Sequence, residues 1–351
     1  LNICVEACKA IMDNAAFKLN DTYQGNYNSI DLSKNPEMIF YKPYSKNTLM
    51  HSLIDYTVNT GGTNGMTKDA FDNYLFLDGK PLATTTLNKT DAPKMVIVNV
   101  QKKVDGVMKT VQDTSYHIGH LFTVRDKRLS ATLDSVLAFK GKAYSRAGSN
   151  AFTSTTGYGI AKYDNPQLLT TTERNNINRQ YTDAPIYWLS VIYLNYAEAM
   201  AELGTITQND LNKSVNLLQA RAGLPNMTLT PDADPANNMG VSNLLWEIRR
   251  ARRCELMFDN WYRYWDLIRW HQLELVDSKA HPNIYRGANM TTVDKPQVEL
   301  DTLNNAAPWE VYMVGSNTRK QVRTYDKKYY FYPIPTGQKA LNGNLEQNPG
   351  W

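Results

Sequence analysis

The chain has 351 residues, enough for one large domain or two ordinary ones. A hydrophobic content of 42% with 21% charged residues excludes a disordered chain, and a net charge of +4 spread along the sequence lacks the cation clustering of a nucleic-acid binder. No run of about 18 apolar residues is present, so no segment is written as a membrane-spanning helix.

The predicted elements begin at once. Residues 1–13 read as an amphipathic helix with Ile3, Ala7, Ala10 and Ile11 on one face, ended by Asp13-Asn14. Cys4 and Cys8 fall on that helix and Cys254 lies far away; no zinc pattern or CxxC pair is present, and buried small side chains are expected. The chain opens as if a helix were already under way, without an initiator Met, so a preceding segment with any targeting or lipidation signal is expected. Residues 20–66 read as loop, with a short strand at EMIFY (37–41) and a glycine turn at TGGTNG (60–65). TKDAFDNYLFL then predicts a helix capped by Thr67, with Ala70, Phe71, Tyr74 and Leu75 inward. MVIVNV (95–100) predicts a strand, and residues 101–180 show no clear element.

Two helices follow. Asp183 is a candidate cap and Pro185 suits a first turn, so a helix is expected from there to Gly204, with Leu189, Ile192, Tyr193, Tyr196, Ala197 and Met200 on one stripe. A second is expected from Gln208 to Ala222, closed by Gly223; the pair makes a helical hairpin. Residues 241–258 predict another helix. There Arg252 and Glu255, three apart beside the apolar stripe, are expected to neutralise each other. After Asp259-Asn260, residues 261–273 predict a further helix with Trp261, Trp265, Ile268 and Leu273 near one face and Asp266 three residues from both Arg263 and Arg269. The stretch 249–270 holds six arginines and six aromatic residues. Its interleaved acids argue against a phosphate-binding strip or a cationic membrane face, so Trp261, Trp265 and Trp270 are expected in the core.

These residues also carry a resemblance. IRRARRCELMFDNWYRYWDLIRW (248–270) resembles the hallmark helix pair of the SusD/RagB family, outer-membrane nutrient-binding lipoproteins of Bacteroidetes. NPEMIFY (35–41), TKDAFDNYLFLDGKP (67–81), VRDKRLSATL (124–133), GYGIAKYDNP (157–166), APIYWLSVIYLNYAEAMAELG (184–204) and the ending YYFYPIPTGQKALNGNLEQNPGW (329–351) resemble further family segments, in order. Lys127 replaces the usual proline and Cys254 a usual aliphatic residue, and neither threatens the fold. The resemblance implies a mainly α fold of tetratricopeptide-like helical hairpins with long irregular loops and a few short strands. It implies one domain over 1–351, with the family's N-terminal helical repeats outside this chain. It implies capture of an oligosaccharide, or alternatively a peptide, and delivery to a SusC-like TonB-dependent transporter, at the cell-surface face of the outer membrane and through an N-terminal lipid anchor not in this chain.

Family ligand contacts usually lie on loops. Flat rings fit the apolar C–H face of a sugar, and amide or charged groups bind its hydroxyls. The loop after the first strand is the best candidate site, with Tyr41, Tyr44, Lys46, Asn47, His51, Tyr56, Asn59 and Asn64; Trp309 is a second, separate candidate. Some of these rings are equally suited to packing under the loop. Catalysis finds no constellation: Glu198, Glu255 and Asp266 sit among arginines, His51, His117, His120, His271 and His281 lack metal spacing, and no nucleophile elbow or phosphate loop occurs. No cofactor, metal or nucleic-acid partner is expected. A helical scaffold binding only protein remains as a third class.

Overall fold

The computed structural model describes residues 1–59, 64–142, 144–145, 151–294, 297–302, 311–314 and 323–351. The order is α1 (Asn2–Met12), β1 (Met38–Lys42), α2 (Lys68–Asp72), β2 (Lys94–Val104), β3 (Val107–His117), α3 (Lys127–Thr132), β4 (Tyr144–Ser145), β5 (Ala151–Phe152) and α4 (Thr171–Asn175). It continues with β6 (Ala184–Trp188), α5 (Leu189–Glu202), α6 (Gln208–Asn212), α7 (Val215–Arg221), α8 (Asn243–Glu255), α9 (Tyr262–Arg269), β7 (Arg286–Asn289), β8 (Leu300–Thr302), β9 (Val311–Val314) and α10 (Thr336–Leu341). The architecture is mainly α and tetratricopeptide-like, as expected, with small two- and three-stranded sheets. Among the described residues no helix is long and apolar enough to cross a membrane.

Several elements depart from the expectation for physical reasons. The inner face of α1 is Val5 and Cys8, with Ile11 and Met12 beside them, and Ile3 is 82% exposed. The stripe that meets α5 is therefore rotated from the one proposed. The helix expected from Asp183 begins only at Leu189. Ala184–Trp188 is extended and pairs antiparallel with β1, which satisfies its backbone groups, and Asp183 turns away to accept the N–H of Leu32 and Tyr44. The expected helix 208–222 is broken at Lys213-Ser214, where the Ser214 hydroxyl donates back to the carbonyl of Asp210 at 2.6 Å. Gly204 does end α5 in the left-handed region, φ +69. Residues 101–180 contain the partner of the predicted strand: β2 and β3 form a long hairpin through Asp105-Gly106, φ +53 and +83, the conformation of a type I′ turn.

The helix α8 stands between two cores. Ile248, Ala251 and Leu256 join the cluster of α1, α5 and α7 around Trp188; Cys254 and Met257 join the cluster of Phe71, Tyr74, Leu129 and Tyr158. Being covered on two sides is what buries Arg249, Arg250 and Arg252. Each finds a carboxylate, as a buried guanidinium must. Their partners are mostly distant in sequence, and the expected local pairs change. Arg252 donates from Nε to Asp266 at 2.8 Å, not to Glu255. Glu255 instead accepts from Arg128 Nη1 at 2.9 Å and Arg221 Nη2 at 2.5 Å. Arg269 reaches Asp266 at 2.9 Å and Glu198 at 2.6 Å. Arg263 pairs with none of them.

Candidate functional site

Among the described residues, left-handed backbone at non-glycine positions is densest at the corner between α8 and α9. Phe258, Asn260 and Trp261 all have positive φ, at +68, +41 and +59. Left-handed conformations are costly for bulky residues and persist only where surroundings hold them. Here the hold is visible. Lys162 Nζ donates to the Met257 carbonyl at 2.8 Å and to Asp259 Oδ2 at 2.7 Å. The Tyr163 hydroxyl lies 3.0 Å from both the Phe258 carbonyl and Asp259 Oδ1, and its one proton serves the two acceptors. Asn260 Nδ2 donates to the Pro185 carbonyl at 3.2 Å.

The corner turns Trp261 outward. It is 78% exposed, and Trp265, one helical turn on, is 55% exposed; only Trp270 is buried as expected. The core assignment of Trp261 and Trp265 is therefore corrected. The apolar period suggested an inward stripe, but the side of α9 that meets the body carries Asp266, Leu267 and Trp270. Trp261, Tyr264 and Trp265 form an aromatic row, with ring centroids 6.5 and 5.1 Å apart in edge-on pairs. Tyr264 and Tyr332 meet through their hydroxyls at 2.9 Å.

This row borders a cleft of about 820 Å³, within the size range of ligand sites. Tyr27, Tyr163 and Asp259 are buried among its lining residues, and Trp261, Tyr262 and Tyr264 also line it. Two residues of the proposed loop site line it as well, Tyr44 and His51. Their rings meet edge to face, 4.6 Å apart. The Tyr44 N–H is fixed on Asp183 at 2.8 Å, and the Lys42 ammonium lies 5.0 Å from the Tyr44 ring. His51 Nε2 donates to the Thr182 carbonyl at 2.9 Å, and Nδ1 accepts the Leu53 N–H at 3.2 Å. Burial, partly offset by the Thr182 bond, pushes the imidazole below its usual range. His51 is thus a neutral, oriented ring.

The other loop residues are not brought into this cleft. Tyr41 packs against the main core. Asn47 sits in an exposed turn at φ +66, and Lys46 beside it pairs with Glu173 at 2.7 Å. Tyr56 is exposed elsewhere, and its carbonyl accepts from Asn64 Nδ2 at 2.6 Å. Trp309, the side chain of Asn59 and residues 60–63 of the predicted glycine turn lie outside the described residues. Sequence reasoning missed Trp261 and Tyr264 as site residues. The available signal was the break at Asp259-Asn260, which forces a change of chain direction just before an aromatic run.

A second cleft, about 440 Å³, shares Arg253 and Arg263 with the first and is also lined by Asp69, Asp72, Trp246, Arg249, Arg250 and His281 among others.

The fold has known relatives. A SusD-like carbohydrate-binding protein from Bacteroides fragilis NCTC 9343 superposes with a TM-score of 0.64 at 20% identity, covering 97% of this chain and 60% of that one. A SusD superfamily protein from Parabacteroides distasonis ATCC 8503 superposes at 0.51 with 15% identity, covering 99% and 56%. At such identities the likeness shows the fold alone, and this chain spans about three fifths of the length of those relatives. No curated protein matches the chain. The sequence model of the SusD family, however, matches residues 10–351, from the end of α1 through the hallmark helices to the last residue. The chain belongs to the SusD family.

Proposed function

We propose that this protein is a non-catalytic surface glycan-binding component that captures an oligosaccharide in the larger cleft and delivers it to a SusC-like TonB-dependent transporter in the outer membrane, held there by an N-terminal lipid anchor. The observation that carries the reading is Trp261. A strained corner, held by Lys162, Tyr163 and Asn260, presents its indole to solvent at the rim of a cleft also lined by Tyr44 and His51. Among the described residues nothing covers this large flat ring, and it matches the apolar face of a pyranose. The Bacteroides fragilis relative, a SusD-like carbohydrate-binding protein, supports the same reading. Glu198, Glu255 and Asp266 are each clamped by guanidiniums, which suits structural ions better than an acid–base pair.

The test is calorimetry of the protein against plant, host and microbial oligosaccharides, with peptides included. Trp261→Ala and Tyr44→Ala are each expected to weaken sugar binding about 2- to 10-fold, the worth of one stacked ring. Binding that ignores both substitutions moves the site elsewhere. Binding of peptides alone overturns the glycan reading. Co-purification with a transporter tests the delivery step separately.

A further inference from the structure

Ion pairs or backbone N–H groups hold the buried charges around the two clefts. In the larger one, Asp183 accepts two backbone N–H groups, Asp259 is held by Lys162 and Tyr163, and Asp266 by Arg252 and Arg269. In the smaller one, Asp69 takes Arg253 at 2.5 Å, Asp72 takes Lys68 at 2.7 Å, Arg249 takes Glu202 at 3.0 Å, and Arg250 takes Glu247 and Asp234. Arg263 is the exception. It lines both clefts, is only partly exposed, and has no ion pair and no side-chain hydrogen bond among the described residues. Its ring neighbour is Trp270, 6.0 Å away.

Burial and the neighbouring Arg253 push the Arg263 guanidinium down to about 9, although Asp69 and Asp266 pull the other way. Both of those acids are taken by other arginines, Asp69 by Arg253 at 2.5 Å and Asp266 by Arg252 at 2.8 Å and Arg269 at 2.9 Å, so the Arg263 fork has no ion-pair partner among the described residues. A guanidinium offers a planar fork of donors that fits a carboxylate or sulfate with two parallel bonds. The same helix start supplies Trp261 and Tyr264 on either side of Arg263 in sequence, and Arg323, exposed and also without a side-chain partner among the described residues, lines the larger cleft.

We propose that Arg263 is an anion-recognition group and that the glycan taken by the larger cleft is acidic, its carboxylate or sulfate docking on Arg263 while a sugar ring stacks on Trp261 or Tyr264. This rests on the glycan-capture reading and adds the chemical class of the ligand.

The experiment is calorimetry with hexagalacturonate, a chondroitin sulfate hexasaccharide, and the neutral laminarihexaose and maltohexaose, at low and high salt. At least one acidic sugar is expected to bind about 10-fold or more tighter than both neutral ones, with affinity falling as salt rises. The uronate and sulfate arms identify the preferred anion. Arg263→Gln is expected to erase that preference without lowering the melting temperature, because it removes an uncompensated charge. Arg263→Lys is expected to keep part of the preference, retaining the charge but losing the fork. Neutral sugars bound as tightly as acidic ones, or an acidic preference that survives Arg263→Gln, would overturn this inference and leave glycan capture standing. Failure of Arg263→Gln to fold would make Arg263 a structural cation and also overturn it. No sugar bound at all would overturn both readings.

Discussion

Glu255→Ala is expected to destabilise the protein by about 3–5 kcal/mol, read as a fall in the denaturant midpoint at unchanged m-value. Glu255 is fully buried and joins two chain segments far from it in sequence. One carboxylate oxygen takes Arg128 Nη1 at 2.9 Å, the other Arg221 Nη2 at 2.5 Å. Arg128 is also clamped by Asp126 at 2.6 Å, and Arg221 by Glu37 at 2.7 Å. Five side chains thus form a continuous buried chain in which acids and arginines alternate. Removing the middle acid leaves two guanidiniums each short of a partner in a site with little water. Glu202, by contrast, is partly exposed and pairs with Arg249 near the surface, so Glu202→Ala is expected to cost less than about 1 kcal/mol. Equal losses for the two variants would show that the buried chain has no special weight.

The same group gives a pH dependence with a definite sign. Burial alone would raise the Glu255 carboxyl, but Arg221 and Arg128 outweigh it and hold it below its usual range. An acid depressed in the folded state contributes stability above its unfolded value and loses it as pH falls through the folded one. Thermal melts should therefore show the difference between wild type and a Glu255→Gln variant shrinking as pH is lowered below about 4.5. A difference that stays constant down to acid unfolding would remove the charge from the explanation.

That network also shows where the sequence was legible and where it was not. The periodicity of α8, the Thr67 cap, the strand expected at 37–41 and found at Met38–Lys42, and the glycine stops were readable because each is decided by residues within a turn or two of itself. The hallmark stretch was readable as a unit, and it placed the chain in its family. Ion-pair partners were not readable. Arg252 and Glu255 are local neighbours on the helix, yet each prefers a distant partner, because α8 is buried on two sides and only other segments can reach its side chains. The site was half readable for a related reason. Tyr44 and His51 stood out as loop residues, whereas Trp261 and Trp265 look like core on a helical wheel. Their exposure follows from the left-handed corner before them, which is set by Lys162 and Tyr163, about a hundred residues earlier in sequence.

Asp259→Ala is the second substitution expected to cost about 3–5 kcal/mol, and it bears on function as well as stability. Lys162 and Asp259 are a fully buried pair at 2.7 Å, and burial outweighs their attraction for both: the ammonium is pushed down and the carboxyl up. Without Asp259, Lys162 keeps the Tyr27 ring, 3.7 Å from its nitrogen, and the Met257 carbonyl, but loses its ion-pair partner. The double variant Lys162→Met with Asp259→Leu is expected to regain most of the loss, because neither ion is then stranded and the pair's desolvation is avoided. Sugar binding should not return with it. Asp259 and Lys162 tie down the residues whose positive φ turns Trp261 outward, and two apolar side chains offer no such bonds. The double variant should therefore be folded, bind its sugar about as weakly as Trp261→Ala, and show altered tryptophan emission. Full affinity in that variant would mean that Tyr163 and Asn260 alone hold the corner. A double variant no more stable than Asp259→Ala would mean that the buried pair is worth more than an apolar replacement of it.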